Sequence, residues 1–278
     1  MPTNREVIDL QRGHDIVPTE DFVSVEQYCV YLMHLKAYEV ASELAHGATV
    51  LDCGCNNGYG TAHLSSVAKR VVGVDVSDRA IEEAQSRHGG ENRDFRVVDG
   101  LTLPFEDDSF DLSVSFQVIE HVGDYGPYLS EIRRVLTPAG IALFTTPNRL
   151  VRLDAGMKPW NSFHVREFSA AELRELLEGV FEQVTVKGLI ETVPPPSVYS
   201  AELGRVTRVK KENQRWAGIR PKLRGAFPFL GRLGRMLRGR RHSAGLSVEE
   251  RAAYSTDQVH YSEEDLGRAV DLMAICKG

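Results

Sequence analysis

Five short apolar runs, separated by amphipathic stretches, constrain the fold of this 278-residue chain more than any other feature. The runs are ATVLDC, RVVGVDV, FRVV, FDLSVSFQ and GIALFTT. The stretches between them, GTAHLSSVAKR, DRAIEEAQSRH and YGPYLSEIRRVL, have the apolar spacing of helices. Repeated β-α-β units place parallel strands in one sheet with helices on both faces. The sequence therefore predicts an α/β fold with a doubly wound sheet.

Two further strands are predicted downstream, and helices are predicted upstream. The segments 181–190 and 269–277 are apolar runs of strand length that flank a long intervening segment. Apolar residues between Val23 and Leu44 recur at helical spacing and predict one or two helices. Residues 1–20 are polar and aperiodic, so we expect a flexible start.

Short capping signatures mark several helix ends. Ser77 precedes an amphipathic stretch and is a preferred N-cap residue. The segments Ser169–Glu172 and Ser247–Glu250 both have the spacing of a capping box. Residues 137–140, with the sequence TPAG, are predicted to close a helix before the fifth strand.

The composition predicts the cellular compartment of the chain. No run of about 18 apolar residues is present, so the sequence predicts no membrane-spanning helix. The N-terminus lacks the basic-then-apolar pattern of an export signal. The four cysteines form no zinc-like pair of CxxC units, and Cys53 and Cys55 are too close in sequence for an ordinary disulfide. These features predict a protein of the reducing cytoplasm.

Positive charge is concentrated in one segment. The net charge is −6, yet residues 205–241 carry 13 Lys and Arg and one acid, a balance of +12 that leaves −18 elsewhere. Apolar residues at 229–237 recur among arginines, as in a basic amphipathic helix on an anionic membrane. The alternatives are contact with an anionic substrate, contact with a second subunit, and a mobile basic loop. Few aromatic residues accompany the charge, which disfavours nucleic acid.

A glycine-rich turn follows the first predicted strand. The strand leads into DCGCNNGYG, residues 52–60, where glycines let the backbone turn sharply and approach a ligand closely. The N-terminus of the next helix then directs its N–H groups at that ligand. Dinucleotide-binding folds also have such a turn. The turn therefore indicates a nucleotide-like ligand without identifying it.

Three acids narrow the choice of ligand. Asp75 ends the second strand, 23 positions after Asp52, where a carboxylate can accept both hydroxyls of a ribose. Asp99 follows the third strand, where it can accept from an adenine amino group. Asp52 precedes the glycines and would repel a nearby pyrophosphate. Together they favour a cationic cofactor without phosphate over a dinucleotide.

In order and spacing, residues 49–148 resemble class I S-adenosylmethionine-dependent methyltransferases. VLDCGCNNGYG resembles motif I of that family, VVGVDVS motif II, VVDGLTLPFEDDSFDLSVSFQVIEHV motif III with the fourth strand, and LTPAGIALFTTPN the fifth strand. The resemblance implies S-adenosylmethionine as cofactor and a Rossmann-like sheet of seven strands in the order 3-2-1-4-5-7-6, with strand 7 (269–277) antiparallel. Many members have Gly where this chain has Asn56, and Asn tolerates the positive φ of such a turn.

The same resemblance implies roles for individual residues. Motif I would line the methionine and ribose part of the cofactor, and Asp75 would bind the ribose hydroxyls. Asp99 and the backbone of Gly100–Leu101 would hold adenine, and Gln117 would close the pocket. The expected cofactor-binding residues are Asp52, Gly54, Cys55, Asn56, Gly58, Asp75, Val76, Asp99, Gly100, Leu101 and Gln117.

The resemblance also implies that the chain is divided into four parts. Residues 1–48 would form N-terminal lid helices, and residues 49–190 the S-adenosylmethionine-binding core. Residues 191–262 would be a basic insert on the substrate side, or the contact of a homodimer. Residues 263–278 would complete a helix and supply strand 7. The candidate lid residues are Tyr28, Tyr31 and His34.

Two histidines are the candidate catalytic bases. Methyl transfer from a sulfonium requires alignment of nucleophile, methyl and sulfur, and a hydroxyl acceptor must also lose its proton. His121 follows the fourth strand, at the crevice where the strand order reverses. His164 lies in the loop after the fifth strand, and imidazoles titrate near neutral pH. The alternatives are local packing at a helix start for His121 and loop orientation for His164.

Two further resemblances bear on the acceptor and on a metal. HVREFS, residues 164–169, resembles a stretch of bacterial methyltransferases acting on sugars and glycolipids, which implies O-methylation of a saccharide or glycolipid. Phenolic or polyketide metabolites, nucleic acid and a non-catalytic cofactor-binding role are the alternatives. The spacing of Gln117, Glu120 and His121 resembles the metal set of ubiquinone-type O-methyltransferases, which has a carboxylate in place of the Gln. Magnesium prefers carboxylates and water, so a metal at Glu120 and His121 is disfavoured.

Overall fold

A computed structural model describes residues 4–13, 19–217 and 245–278 as strands, helices and defined loops. The strands are β1 (Thr49–Cys53), β2 (Arg70–Asp75), β3 (Arg93–Val97), β4 (Phe110–Phe116), β5 (Leu136–Pro147), β6 (Gln183–Glu191), β7 (Val259–Ser262) and β8 (Asp271–Lys277). The helices are α1 (Asn4–Gln11), α2 (Val25–Leu44), α3 (Tyr59–Leu64), α4 (Asp78–His88), α5 (Tyr125–Val135), α6 (Arg149–Arg152), α7 (Ala170–Glu178), α8 (Val198–Ala217) and α9 (Val248–Ala252). Short 3-10 turns form at Ile119–His121 and Thr256–Gln258.

All eight strands belong to one sheet of order β3-β2-β1-β4-β5-β8-β6-β7. The first five are parallel neighbours, and β8 pairs antiparallel with both β5 and β6. The expected order, with an antiparallel strand at 269–277, is therefore present. The expected number of seven strands is wrong, because β7 adds an eighth strand antiparallel to the outer edge of β6.

Strand β7 lies within the range that we predicted as an insert. It is four residues long, and its register places Tyr261 opposite Leu189 and Val259 opposite Glu191. Val259 is buried and His260 is exposed, so only one face of this short strand contacts the core. The residues after it, 263–270, form turns that lead directly into β8.

Two apolar layers hold helices against the two faces of the sheet. On one face, α5 and α7 pack through Leu129 and Leu173 against strand residues that include Phe144. On the other face, α2 and α3 pack through Ala41 and Leu64. Such two-sided coverage is what a largely parallel sheet requires.

Most of the predicted helix starts are confirmed. The Ser77 side chain accepts from the Ala80 N–H, and complete capping boxes form at Ser169–Glu172 and Ser247–Glu250. The predicted closing turn at 137–140 is wrong. Helix α5 ends at Val135, and these residues lie inside β5, which begins alongside β4 and continues past a register shift.

The N-terminal region is more ordered than its polarity predicts. Residues 4–11 form helix α1, so the expectation of a flexible start is wrong for them. Val7 is buried, and Gln11 Nε2 donates to the backbone oxygen of Phe163 at 2.9 Å. Residues 25–44 form the single helix α2, capped by Ser24. The sequence pattern of eight residues cannot reveal these long-range contacts, which include a second hydrogen bond from Gln11 Nε2 to the backbone oxygen of His121 at 3.5 Å.

The basic segment is described only in part. Its first residues lie on helix α8, whereas the predicted amphipathic stretch at 229–237 lies outside the described residues. Within the described part of the chain, no helix combines the length and apolarity needed to span a bilayer.

Candidate functional site

A cavity of about 600 Å³ opens at the carboxyl ends of the parallel strands. This edge of a doubly wound sheet, where the strand order reverses between β1 and β4, is where ligands bind in such folds. From the predicted cofactor set, the cavity wall contains Gly54, Cys55, Asn56, Asp75, Val76, Gly100, Leu101 and Gln117. Asp52, Gly58 and Asp99 of that set do not form part of this wall.

The glycine-rich turn has the backbone conformation that its sequence predicts. Gly54 and Gly58 have φ of 83° and 79°, and Asn56 has φ of 48°. The expectation that Asn56 tolerates a positive φ is confirmed. A Cβ at Gly54 would overlap the Val118 side chain, so only glycine lets the turn lie this close to the end of β4.

Asp75 is held at the wall of the cavity by backbone donors. Its Oδ2 accepts from the Asn56 N–H at 3.0 Å, and its Oδ1 accepts from the Ser77 N–H at 2.9 Å. Each carboxylate oxygen has a further lone pair. This geometry suits acceptance from the two hydroxyls of a ribose, and it also ties the glycine-rich turn to the end of β2.

Asp52 lies behind the cavity wall. It is fully buried, and it accepts from Thr61 Oγ1 at 2.6 Å and from the Tyr38 hydroxyl at 3.2 Å. Burial raises its pKa to about 6, although these two hydrogen bonds oppose the shift and Asp75 adds to it. Asp52 therefore joins β1 to α2 and α3 beneath the turn. The sequence did not reveal Tyr38 and Thr61 as its partners.

Asp99 organises its own loop. Its Oδ1 accepts from the N–H groups of Leu101 and Thr102 at 2.8 and 2.9 Å, and these bonds lower its pKa. Gly100, with φ of 77°, completes the turn. The backbone at Gly100 and Leu101 thus forms the wall that was expected to face adenine, while the Asp99 carboxylate fixes the shape of that backbone.

Gln117 joins the end of β4 to β5 and β8. Its Nε2 donates to Thr145 Oγ1 at 3.2 Å and to Asp271 Oδ1 at 3.0 Å. Asp271 also accepts from the Tyr261 hydroxyl, and burial raises its pKa to about 7 despite these two bonds. No sequence pattern pointed to Asp271, because it lies 154 residues from Gln117.

The two candidate bases meet at the other end of the cavity. The rings of His121 and His164 are edge to face, with centroids 4.7 Å apart, and both side chains line the wall. His121 Nδ1 lies 3.0 Å from the backbone oxygen of Phe163, and His164 Nδ1 lies 2.8 Å from Glu167 Oε1. Both acceptors lack a proton to donate, provided that Glu167 is ionised, so each histidine donates from Nδ1.

A buried ion pair supports this end of the cavity. Arg152 Nε lies 3.2 Å from both oxygens of Glu167, and the guanidinium stacks 4.4 Å above the ring of Trp160. Burial alone would raise the pKa of Glu167, but its contacts with His164 and Arg152 lower it overall. Glu167 is therefore an ionised carboxylate. Glu167 lies in the HVREFS stretch, whereas no sequence pattern pointed to Arg152.

Glu120 lies beside the two histidines and is fully buried. Its Oε2 accepts from Thr146 Oγ1 at 3.0 Å, whereas its Oε1 has no hydrogen-bond partner among the described residues. Burial raises its pKa to about 8, and the nearby Asp271 adds to the shift.

The N-terminal helices contribute to the same cavity. Val7, Ile8 and Gln11 of α1 and His34 of α2 form part of its wall. Burial, with a further contribution from Arg205, lowers the pKa of His34 to about 4. Tyr28 and Tyr31 pack instead with Phe22 in an aromatic cluster. Of the three candidate lid residues, only His34 therefore forms part of the cavity wall.

Known proteins resemble this core in sequence and in fold. Residues 51–144 match the family model described as a methyltransferase domain. A methyltransferase of Thermotoga maritima, described as S-adenosylmethionine-dependent and a possible histamine N-methyltransferase, has a similar structure, with a TM-score of 0.54 over 90% of each chain at 16% identity. The core of this chain thus has the Rossmann-like fold of class I methyltransferases that use S-adenosylmethionine.

Two mycobacterial relatives are similar in sequence. One is a probable S-adenosylmethionine-dependent methyltransferase of Mycolicibacterium smegmatis, 40% identical over 145 residues that cover 52% of this chain and 56% of that protein. Another, with the same description, is from Mycobacterium tuberculosis and is 33% identical over 178 residues that cover 64% of this chain and 63% of that protein. The aligned chain thus spans less than two thirds of either relative.

Proposed function

We propose that this chain transfers the methyl group of S-adenosylmethionine to a hydroxyl of a small molecule, and that this molecule is a saccharide or a glycolipid. One observation carries the proposal: a continuous cavity has the glycine-rich turn and Asp75 at one end and the pair His121 and His164 at the other. A methyl donor bound at the first end would direct its sulfonium toward an acceptor at the second.

The cofactor end supports S-adenosylmethionine rather than a dinucleotide. Asp75 offers two oxygens that are already oriented by backbone donors, as a ribose diol requires. Asp75 and Glu131 are acids of the cavity wall, so a pyrophosphate would meet negative charge there. The same negative charge would not repel the positive sulfonium of S-adenosylmethionine.

The acceptor end supports a hydroxyl nucleophile. A hydroxyl must lose a proton as its oxygen bonds to the methyl carbon, and the carbon–sulfur bond breaks to leave S-adenosylhomocysteine. We assign the activation of this hydroxyl to His121 and His164, whose Nδ1 atoms are engaged away from the cavity by Phe163 and Glu167. Those contacts orient both rings.

The saccharide assignment rests on the side chains around the histidines and on the resemblance of residues 164–169. Trp160 and Asn161 line the cavity beside His164, and Arg205 and His34 complete that region. Hydroxyl-rich ligands need such a mixture of an aromatic ring with amide, imidazole and guanidinium groups to satisfy their donors and acceptors. A phenolic acceptor needs fewer polar partners.

Methyl transfer from labelled S-adenosylmethionine to saccharides, glycolipids and phenols tests the proposal. Wild-type protein should label a saccharide or glycolipid, and His164→Ala should lose most of that rate while calorimetry shows unchanged cofactor binding. His260→Ala, an exposed histidine at the sheet edge, is the matched control and should retain the rate. Preferred labelling of phenols would refute the saccharide assignment. Bound cofactor without turnover on any hydroxyl would refute O-methylation itself.

A further inference from the structure

We propose that Glu120, His121 and His164 bind a divalent transition-metal ion at the acceptor end of the cavity. Among the described residues, these three offer one ligand atom each, and the three atoms all lie within 4.8 Å of one another. Ligand atoms at tetrahedral angles around one ion are about 3.4 Å apart when each bond is about 2.1 Å. The longest of the three separations would therefore have to close by at most about 1.4 Å, through side-chain rotation, to complete the site.

Two chain segments supply the ligands and are tied together by backbone hydrogen bonds. Glu120 and His121 belong to the 3-10 turn after β4, whereas His164 lies in the loop that precedes α7. The backbone oxygen of Glu120 accepts from the Val165 N–H at 2.8 Å. The two segments that carry the ligands are thus held together by the backbone before any ion binds.

Both histidines have the outer contacts that metal ligands have. His121 donates from Nδ1 to a backbone oxygen, and His164 donates from Nδ1 to the ionised Glu167. A ligating histidine nearly always donates its other ring N–H to a carbonyl or carboxylate, which fixes its tautomer and orients the ring. In both residues the lone pair is therefore on Nε2, the nitrogen suited to a metal.

Glu120 provides independent support. Its Oε2 accepts from Thr146, but its Oε1 is buried without a hydrogen-bond partner among the described residues. A buried acceptor that is left unsatisfied destabilises the fold. Glu120 lines the same cavity as His121 and His164. Coordination of a cation would satisfy this oxygen.

The ligand types select the metal. Two imidazoles and one carboxylate suit manganese, iron, cobalt or zinc, whereas magnesium prefers an oxygen shell. This set differs from the one that the resemblance to ubiquinone-type O-methyltransferases implies, because His164 takes the third position. The Gln117 side chain is instead directed at β5 and β8, where its Nε2 donates to Thr145 and Asp271. The remaining coordination positions would face the cavity.

The consequence for methyl transfer rests on the proposed function, whereas the binding itself does not. A hydroxyl that coordinates a divalent cation loses its proton at a lower pH than a hydroxyl in water. Activation of the acceptor by His121 and His164 would then act through the shared ion.

Titration of metal-free, untagged protein with Co²⁺, followed by visible absorption and by the metal content of the dialysed protein, tests the inference. Wild-type protein should bind one equivalent saturably, and excess Mg²⁺ should not displace it. Glu120→Gln and His164→Gln should each weaken binding by at least about 100-fold, and Glu167→Gln by about 10- to 100-fold through the outer contact. The control His260→Ala should bind as the wild type does.

Thermal unfolding and cofactor binding verify that each variant is folded, and the stoichiometry and saturation of Co²⁺ binding by the wild type keep the inference testable if a ligand variant does not fold. The inference is overturned if wild-type protein shows no saturable Co²⁺ signal, or if the ligand variants bind Co²⁺ as tightly as His260→Ala. Saturable Co²⁺ binding without methyl transfer to any acceptor would count against the proposed function and leave the metal site standing.

Discussion

The hydroxyl of Tyr38 in helix α2 lies 3.2 Å from Oδ1 of Asp52 in strand β1. Thr61 donates to the other oxygen of the same carboxylate. The two donors offset only part of the cost of burying this charge, since the pKa of Asp52 is still raised to about 6. The turn that the sequence marks as a cofactor site therefore rests on a buried acid that titrates between weakly acidic and neutral pH.

Folding stability should depend on the protonation of Asp52. In the folded protein the Asp52 carboxyl keeps its proton up to about pH 6, whereas in the unfolded chain it loses the proton at about pH 4. The contribution of Asp52 to the free energy of unfolding should thus be fully present below that window and fall by about 2–3 kcal/mol as the pH rises through it. Asp52→Asn should remove this contribution in urea denaturation followed across the window. Glu82→Gln, an exposed acid on α4, should retain the wild-type slope, and an unchanged slope in Asp52→Asn would contradict the assignment.

Gly60→Ala should destabilise the protein. A Cβ at this position would overlap the ring of Tyr38, which is itself buried and bonded to Asp52. Overpacking of this kind costs about 1–3 kcal/mol. Gly204 lies in helix α8 with open space around it, so Gly204→Ala should instead stabilise by about 1 kcal/mol. Chemical denaturation of both variants measures the difference, and equal stabilities would argue against the contact.

Asp75→Asn should weaken cofactor binding more than it weakens folding. The amide group cannot accept from both Asn56 and Ser77 while also accepting from a ribose diol. The loss of a hydrogen bond to a charged group, about 1.5–3 kcal/mol, corresponds to about 10- to 150-fold in affinity. Calorimetry with S-adenosylhomocysteine measures it, with the exposed Asp78→Asn as control. Similar affinities for the two variants would exclude Asp75 from the ribose site.

The substitution Arg152→Met should lower the free energy of unfolding much more than Arg208→Met does. Arg152 is 7% exposed and bonds both oxygens of the buried Glu167, whereas Arg208 pairs with Glu26 on the surface. Removing one partner of a buried ion pair costs about 3–5 kcal/mol, and an exposed pair contributes about 0–1 kcal/mol. Thermal or urea unfolding distinguishes these values. A small effect at Arg152 would show that Glu167 does not depend on it.

Local rules predicted the cofactor end of the site from the sequence. The positive φ at Asn56, the cap at Ser77 and the box at Ser169–Glu172 depend on residues within three or four positions of one another. The position of Asp75 follows from the β-α-β spacing. Each of these signals is complete within a short stretch of chain, so no knowledge of tertiary contacts was needed.

The parts that the sequence did not reveal depend on distant contacts. Strand β7 is four residues long and alternates buried Val259 with exposed His260, too short a pattern to distinguish from a loop. Asp271 reaches Gln117 only because β8 lies beside β5, and Arg152 reaches Glu167 across a loop. The ring contact between His121 and His164 likewise depends on the conformation of the loop that precedes α7.

Strand β8 is made after β5, β6 and β7, yet it lies between β5 and β6. The segment that contains β6 and β7 is therefore synthesised before β8, the strand that joins these two strands to the rest of the sheet. Without residues 271–277, one edge of β5 and one edge of β6 would each lack the partner of their N–H and C=O groups. Asp271, which accepts from Gln117, belongs to the same strand, so neither the sheet nor this support of the cavity wall can be complete before β8 has been synthesised.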